Sequence, residues 1–489
     1  MSQIKARQDQ IKIAVTGATG FVGSQLISQV KESYPNADLI GISRRKEGHE
    51  VLPSGVEIEW RKADLFSLLD IENALEGVDV AYYLVHSMSP SAGLVQGSFD
   101  ELDLLLADNF AKAAKKAELK KMIYLGGLLP DGDIQTWSTH LKSRYEVEEI
   151  LKSSGVPVYI FRAGLVVGAA GSSFEILKRL VLKLPVMLCP KWTASQTSAV
   201  SLNCIVDALS WPLDRNDTEG AVIDLGETFA LSYKQMMEQM SLAMGKTRYF
   251  FPVPFLSPKL SRLWVGLVTR APKDLVYPLV MSLKHSLLPR YTHPEFPEVK
   301  KITFHDLAKE TISQGQSESK SSSLPHAYQG FYKGLKSVRS VQRIDLPKVE
   351  CREDKVVNAE TLALEYLRWL PRFLSPFLKV RHSKHSRDIV GFYFFGIPCA
   401  LLILARSSGR STIDRQLFYI KGGLLARPKG RGRLEFRVLE GPKVLITAIH
   451  DFYPALPWRV YKYSQALIHL FVMTQFGRHV CRKYYTKFN

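Results

Sequence analysis

The chain has 489 residues, of which 46% are hydrophobic and 23% charged, enough apolar material for a packed core and too much for a disordered chain. Its formal charge is +18, and the whole excess lies in residues 331–489, where 29 Lys and Arg face 11 Asp and Glu; the first 330 residues balance at 36 of each. Five cysteines (Cys189, Cys204, Cys351, Cys399 and Cys481) are scattered without a C-x-x-C pair, offering neither a disulfide framework nor a zinc signature and fitting a reducing compartment.

Taken in order, "MSQIKARQDQIKIAVTG" carries no apolar h-region ahead of the first strand, so a cytoplasmic location is expected rather than secretion. Residues 11–17, 38–43, 56–60, 78–85, 120–127 and 157–164 read as strands. Between them, "GFVGSQLISQVKES", "SLLDIENAL" and "FDELDLLLADNFAKAAKKAEL" place apolar residues at three- and four-residue intervals, the signature of amphipathic helices. The alternation predicts an α/β fold, a doubly wound parallel sheet covered by helices on both faces. Residues 165–220 and 231–310 are assigned to a small helical lobe beside this sheet, so that a first domain covers 1–312. "SQGQSESKSSSLPHAYQG" (313–330), rich in Ser and Gln, reads as a linker.

The basic remainder, 331–489, is predicted to be an α+β domain. "IVGFYFFGIPCALLILA" (389–405) holds no charge but is shorter than the roughly 20 residues a bilayer span needs and is broken by Gly391, Gly396 and Pro398, so two buried strands about a turn are expected. "RQLFYI", "GRLEFRVLE" and "PKVLITAIHDF" continue as strands. "LPWRVYKYSQALIHLFVMTQFGRHVCRKYY" closes as one long helix, with Arg459, Lys462, Gln465 and His469 on one side and Val460, Tyr463, Leu467, Leu470 and Phe471 on the other. A positive field this concentrated either simply faces water or fits an anionic partner, a phospholipid surface, an acidic ligand or nucleic acid, the last placed behind because no recognition helix or finger is evident.

Function is carried first by "VTGATGFVGSQL", which follows the first strand and opens the first helix. Gly17, Gly20 and Gly23 let the backbone turn tightly, approach a diphosphate and pack helix against strand, while the helix N-terminus supplies N–H donors. The second strand ends in "GISRRKE", and the forked donors of Arg44 and Arg45 suit a 2′-phosphate better than a bare hydroxyl, favouring NADP over NAD. Asp64, at the end of "KADL", either accepts from an adenine amino group or caps a helix.

"TGATGFVG" with "ADL", then "YYLVHSM" (82–88), "HLKSRYEVEEIL" (140–151) and "FRAGLVVGAAGSSFEILKRLV" (161–181), resembles the atypical short-chain dehydrogenase/reductases, in their NmrA-like branch related to the complex I accessory subunit. The resemblance implies an NAD(P)-binding Rossmann domain with Gly17, Thr19, Gly20, Phe21, Val22 and Gly23 at the diphosphate. It also implies Arg44 and Arg45 at the ribose, Asp64 and Leu65 at the adenine, and Val85, His86 and Ser87 along the nicotinamide. The segment 411–473 is similar to a lipid-binding helix-grip domain. Active members of the family carry Ser and Tyr-x-x-x-Lys; here those positions read Gly126 or Gly127, His140 and Arg144.

His140 titrates near neutrality in water and can stand in for Tyr, while Arg144, always charged, opposes the imidazolium and can hold the ribose. Ser87, Ser138 and Thr139 are the hydroxyls at hand to replace the absent Ser. Two readings stay open: an NADP-dependent oxidoreductase acting on a hydrophobic substrate, and a non-catalytic dinucleotide-binding sensor or scaffold docking to a membrane or protein through its basic domain. "RHSKHSR" (381–387) reads as a solvated basic run rather than a metal site, and no metal is expected.

Overall fold

The computed structural model describes residues 11–44, 52, 55–86, 94–215, 218–253, 266, 268, 279–317, 337–349, 351–352, 355–383, 386, 388–427 and 432–485. The chain divides into two compact units, Met1–Met88 with Leu106–His326, and Ser89–Leu105 with Ala327–Asn489.

In chain order come β1 (Lys12–Thr16), α1 (Phe21–Ser33), β2 (Asp38–Ser43), β3 (Glu59–Lys62), α2 (Leu68–Ala74), β4 (Val80–Tyr83), β5 (Leu94–Gln96) and α3 (Phe99–Lys116). There follow β6 (Lys121–Gly127), α4 (Thr139–Lys152), β7 (Val158–Ala163), β8 (Leu165–Val167), α5 (Ser172–Lys183), β9 (Val186–Pro190), β10 (Gln196–Thr197), β11 (Ala199–Ser201), α6 (Leu202–Ser210) and β12 (Gly220–Leu225). The first unit is built on a parallel sheet of order β12-β7-β6-β4-β1-β2-β3. The order reverses between β1 and β4, which opens a crevice at their carboxyl ends, where ligands of doubly wound sheets bind.

Side-chain alternation along the strands supplies both faces. Ile13, Val15, Tyr82 and Phe161 point toward α1 and α6, packing with Leu26, Ile27, Ile205 and Leu209. On the opposite side Tyr83 meets Phe110 of α3, with ring centroids 4.9 Å apart. Burying both faces explains why the inner strands β1, β4 and β7 read as apolar runs.

Two strand assignments change. The strand expected at 56–60 lies at Glu59–Lys62, in register with β2. Trp60 seats over Gly41, where a Cβ would come within 2.5 Å of the indole, so the steric fit of that ring, not local propensity, goes with the register. The edge strand β12, beyond β7, was not legible in the sequence.

A second apolar cluster joins α5, β9 and the helix Phe304–Ser317 with α7 (Tyr233–Ala243), around Phe174, Met187, Met236 and Phe304. The short strands β13 (Leu231–Ser232) and β14 (Tyr249–Val253) pair with β10 and β9. The segment expected to be a linker starts inside the helix Phe304–Ser317; residues 318–330 lie outside those described.

The second unit contains a sheet of order β16-β17-β18-β19-β20-β21-β15-β5. Its strands are β15 (Val338–Asp345), β16 (Leu378–His382), β17 (Ile389–Phe394), β18 (Ala400–Arg406), β19 (Arg415–Gly422), β20 (Arg433–Leu439) and β21 (Val444–Phe452). Neighbours from β16 to β15 are antiparallel and β5 joins parallel. The uncharged run 389–405 thus forms the expected pair of strands about a turn, but they are not the two buried strands foreseen: β18 is mostly half-buried, and the turn, Phe394–Cys399, is exposed throughout. The helix Ala359–Phe373, opened by an Asn358–Thr361 capping box, packs Leu362, Tyr366 and Trp369 against Phe418 and Phe436 of the sheet.

The predicted long C-terminal helix is two helices, Trp458–Tyr463 and Gln465–Tyr484, parted at Ser464. Its side carrying Val460, Tyr463, Leu467, Leu470 and Phe471 faces solvent, while Ala466, Val472, Met473, Phe476 and Val480 enter the core. None of the five cysteines is in a disulfide. Among the described residues no helix is long and apolar enough to cross a membrane.

Candidate functional site

At the crevice, Thr16 ends β1 by donating its hydroxyl hydrogen to the Tyr82 carbonyl (2.9 Å) and accepting from the Leu84 N–H (3.2 Å), which fixes the two strand ends side by side. The chain then turns sharply. Gly17 has φ +75°, a conformation L side chains rarely adopt, and a Cβ there would stand 3.0 Å from the Leu84 carbonyl oxygen. The Gly20 N–H donates to the Gly17 carbonyl at 2.8 Å. A Cβ on Gly23 would lie 2.3 Å from that same carbonyl oxygen, so only glycine lets α1 begin so close to β1.

Gly20 is the N-cap of α1 and contributes no side-chain cap, and Thr19 and Gly20 are exposed. The first-turn N–H groups of this 13-residue helix therefore offer donors and a partial positive charge to an anion. Phe21 turns its ring onto Gly168 and Gly171. A groove of about 1110 Å³ starts at Thr19, Gly20 and Phe21 and runs between α1 and α6 past Gln25, Gln29 and Asp207; it reaches none of Val85, His86, His140 and Arg144.

Arg44 is exposed just beyond β2, and Arg45 lies outside the described residues. Asp64 turns the chain after β3, its carboxylate accepting from the Phe66 N–H at 3.1 Å. That contact closes a local turn and is not the helix cap foreseen for Asp64, because the N-cap of α2 is Ser67, whose hydroxyl accepts from the Asp70 N–H. Leu65 is buried and its carbonyl accepts from Asn109 at 2.7 Å. Val85 flanks Gly17 beyond β4, His86 follows it, and Ser87 lies outside the described residues.

Helix α4 carries the other expected group. Ser138 is its N-cap, accepting from the Leu141 N–H, and its hydroxyl also bonds that of Ser282 at 2.8 Å; it is thereby committed to structure, and Thr139 is exposed. Burial, and then the charge of Arg144, push the His140 pKa down to about 3. His86 is lowered well below its ordinary value by burial, then by Arg144 and by His140. His86 is itself an exposed residue, and the fixed charge that acts on it is that of Arg144, His140 being neutral at pH 7. These couplings bring His86, His140 and Arg144, from two different elements, into one electrostatic neighbourhood.

Farther along α4, at Glu148, begins a charged group that the sequence reading missed. Arg162 of β7 donates from Nε to both carboxylate oxygens of Glu148 (2.9 and 3.1 Å) and approaches Asp224 at 3.7 Å, all three nearly solvent-free. The available signal was the charge itself: an Arg inside the apolar strand "PVYIFRAG" requires a buried partner. At the end of β6, a Cβ on Gly126 would sit 2.9 Å from the Tyr124 ring and 3.3 Å from Glu148, whereas one on Gly127 meets nothing closer than 3.9 Å.

Residues 17–179 match a family model described as NAD(P)H-binding. The chain is 31% identical over 161 residues to the auxiliary protein GraX of Staphylococcus aureus, a match covering 32% of this chain and 46% of that protein, so the chain spans about half the length of that relative. It is 24% identical over 271 residues to a UDP-glucose 4-epimerase of Vibrio cholerae, covering 51% and 80%. Against sanguinarine reductase of Eschscholzia californica it is 24% identical over 259 residues, covering 44% and 89%.

Proposed function

We propose that the first unit holds NADP(H) and acts as an oxidoreductase on a hydrophobic substrate, with His140 and Arg144 at the reacting centre. The observation that carries this reading is the glycine turn: Gly17 at positive φ, Gly23 pressed on the Gly17 carbonyl, and an α1 N-terminus without a side-chain cap. It is a cradle that a Cβ would fill, and it suits a diphosphate. Thr19, Phe21 and Val22 complete the loop, Arg44 and Arg45 favour a 2′-phosphate and so NADP over NAD, Asp64 and Leu65 flank the adenine, and Val85, His86 and Ser87 line the nicotinamide side. When bound, the dinucleotide supplies or accepts the hydride.

The chain's own part is electrostatic. With its pKa near 3, His140 is a neutral imidazole at pH 7, so it serves as an N–H donor to a developing oxyanion rather than as an imidazolium acid. Arg144, 5% exposed, adds a fixed positive charge, and solvent supplies the proton that completes the alcohol. The test mixes the purified full-length protein with NADPH or NADH and a panel of quinones, aldehydes and sugar nucleotides. Turnover that prefers NADPH and disappears in His140→Ala supports the reading.

A second reading, a dinucleotide-binding sensor or scaffold, is favoured by one observation: no hydroxyl stands at Gly126 or Gly127, and that of Ser138 is committed to its cap. NADPH binding without turnover on any substrate selects it. For the second unit, the succession of strand, helix, six strands and C-terminal helix supports a helix-grip reading, and with it an enclosed apolar ligand such as a lipid. Mass spectrometry of what co-purifies with the native protein tests that.

A further inference from the structure

We propose that the second unit carries a membrane-docking face: an exposed aromatic and aliphatic surface, rimmed by Lys and Arg, that enters the interface of an anionic phospholipid bilayer. This inference is independent of any redox chemistry in the first unit.

Three segments build the face. The helix Ala359–Phe373 ends at Phe373, and the chain continues to Phe377; both rings are exposed. The β17–β18 turn presents Phe394, Phe395 and Ile397, with Phe395 at 67% exposure. The C-terminal helix adds Leu467, Ile468, Leu470 and Phe471. Ring contacts join the three: Phe377 stacks on Phe394 with centroids 6.1 Å apart, the Phe395 N–H donates to the Phe377 carbonyl at 2.8 Å, and Phe373 meets Phe471 at 6.2 Å. Scattered exposed apolar residues are ordinary, but a joined patch of large rings is not, and it marks a surface that something covers.

Charge decides what covers it. The stretches 371–382, 389–406, 421–427 and 452–485 contain no Asp or Glu. Arg372, Lys379, Arg381, Lys421 and Arg427 are exposed on them. Along the C-terminal helix the exposed positions change from Leu467, Ile468, Leu470 and Phe471 to Thr474, Arg478 and Arg482, so one end of the face is apolar and the other basic. Apolar side chains below a basic rim are what an interfacial segment requires to sit in the acyl boundary beneath anionic headgroups. A second copy is the poorer occupant, because pairing this face with itself brings two basic surfaces together.

The test uses the full-length protein without cofactor and sedimentation with phosphatidylcholine vesicles that contain or lack phosphatidylglycerol. The expected result is salt-sensitive binding that needs phosphatidylglycerol. Leu467→Asp combined with Phe471→Asp, and separately Phe395→Asp, should weaken it by at least about tenfold, since charged side chains enter the interface poorly. These positions are exposed, so the variants should keep the wild-type thermal midpoint. A Phe395→Trp variant should be quenched by lipids labelled in the acyl chain. Absence of binding at low salt, binding indifferent to phosphatidylglycerol, or variants that bind as the wild type does would each overturn the proposal. A dimer in sedimentation equilibrium that the Leu467/Phe471 variant abolishes, without vesicle binding, would assign the face to a second copy and overturn it as well.

Discussion

Arg162 and Glu148 are joined through both carboxylate oxygens, one on β7 and the other on α4. Glu148 lies one helical turn beyond Arg144 and two beyond His140, so this pair anchors the helix that presents them. Burial raises the Glu148 pKa and Arg162 opposes that rise. Arg162→Met removes the opposing charge and should destabilise the protein by about 3–5 kcal/mol at neutral pH, as broken buried pairs do. In the variant the folded Glu148 holds its proton to higher pH than the unfolded one. The deficit should therefore shrink as pH falls, which urea unfolding at two pH values measures.

The glycine turn makes the second prediction. Gly23→Ala puts a methyl 2.3 Å from the Gly17 carbonyl oxygen, a backbone atom that cannot rotate away. The loop must open, so NADPH titration by fluorescence should show at least about tenfold weaker binding, with a stability loss of about 1–3 kcal/mol. Thr19→Ala, in the same exposed loop, should leave stability unchanged.

Gly126 and Gly127 differ in the room they leave. Gly126→Ser collides with the Tyr124 ring and should lower the thermal midpoint, while Gly127→Ser fits. If the first unit is an oxidoreductase in which His140 donates to the oxyanion without a second, serine-type donor, Gly127→Ser should raise turnover by roughly tenfold or more, below the ~10²–10³ that an optimally placed donor gives. An unchanged rate in a well-folded Gly127→Ser variant would count against an oxyanion at that position.

His140 makes stability fall in acid. Its folded pKa, about 3, is below the unfolded value near 6.5, so between those values the unfolded chain binds more protons and stability rises with pH. Above about pH 7 the contribution is constant, and across the window its slope approaches ~1.4 kcal/mol per pH unit. His140→Gln should remove that slope from the wild-type profile. Arg144→Met removes the second cause of the shift, and NMR titration should find the His140 pKa higher.

Arg44 tests the nucleotide preference. Loss of charge-assisted bonds to a 2′-phosphate costs about 1.5–3 kcal/mol, so Arg44→Ala should weaken NADPH by roughly 10- to 100-fold and leave NADH nearly unaffected. Equal effects on both would show that Arg44 does not face the ribose.

The sequence by itself determined five strands of the first unit's sheet, β1, β2, β4, β6 and β7, because strands buried on both faces are apolar runs; it misplaced β3 and did not mark β12, whose places at the two edges are set by pairing. It also determined the glycine turn, since positive φ and close backbone approach leave a residue type as their trace. Only the tertiary structure decided which side of an amphipathic segment is the inner one: Leu467 and Phe471 lie on the apolar side by period, yet Met473, Phe476 and Val480 of the same helix fill the core and leave them in water. Periodicity records that a face is apolar but not what it meets. In the same way, nothing local in Glu148 or Asp224 signalled a partner, because an ion pair joining α4, β7 and β12 exists only once the sheet has brought those elements together.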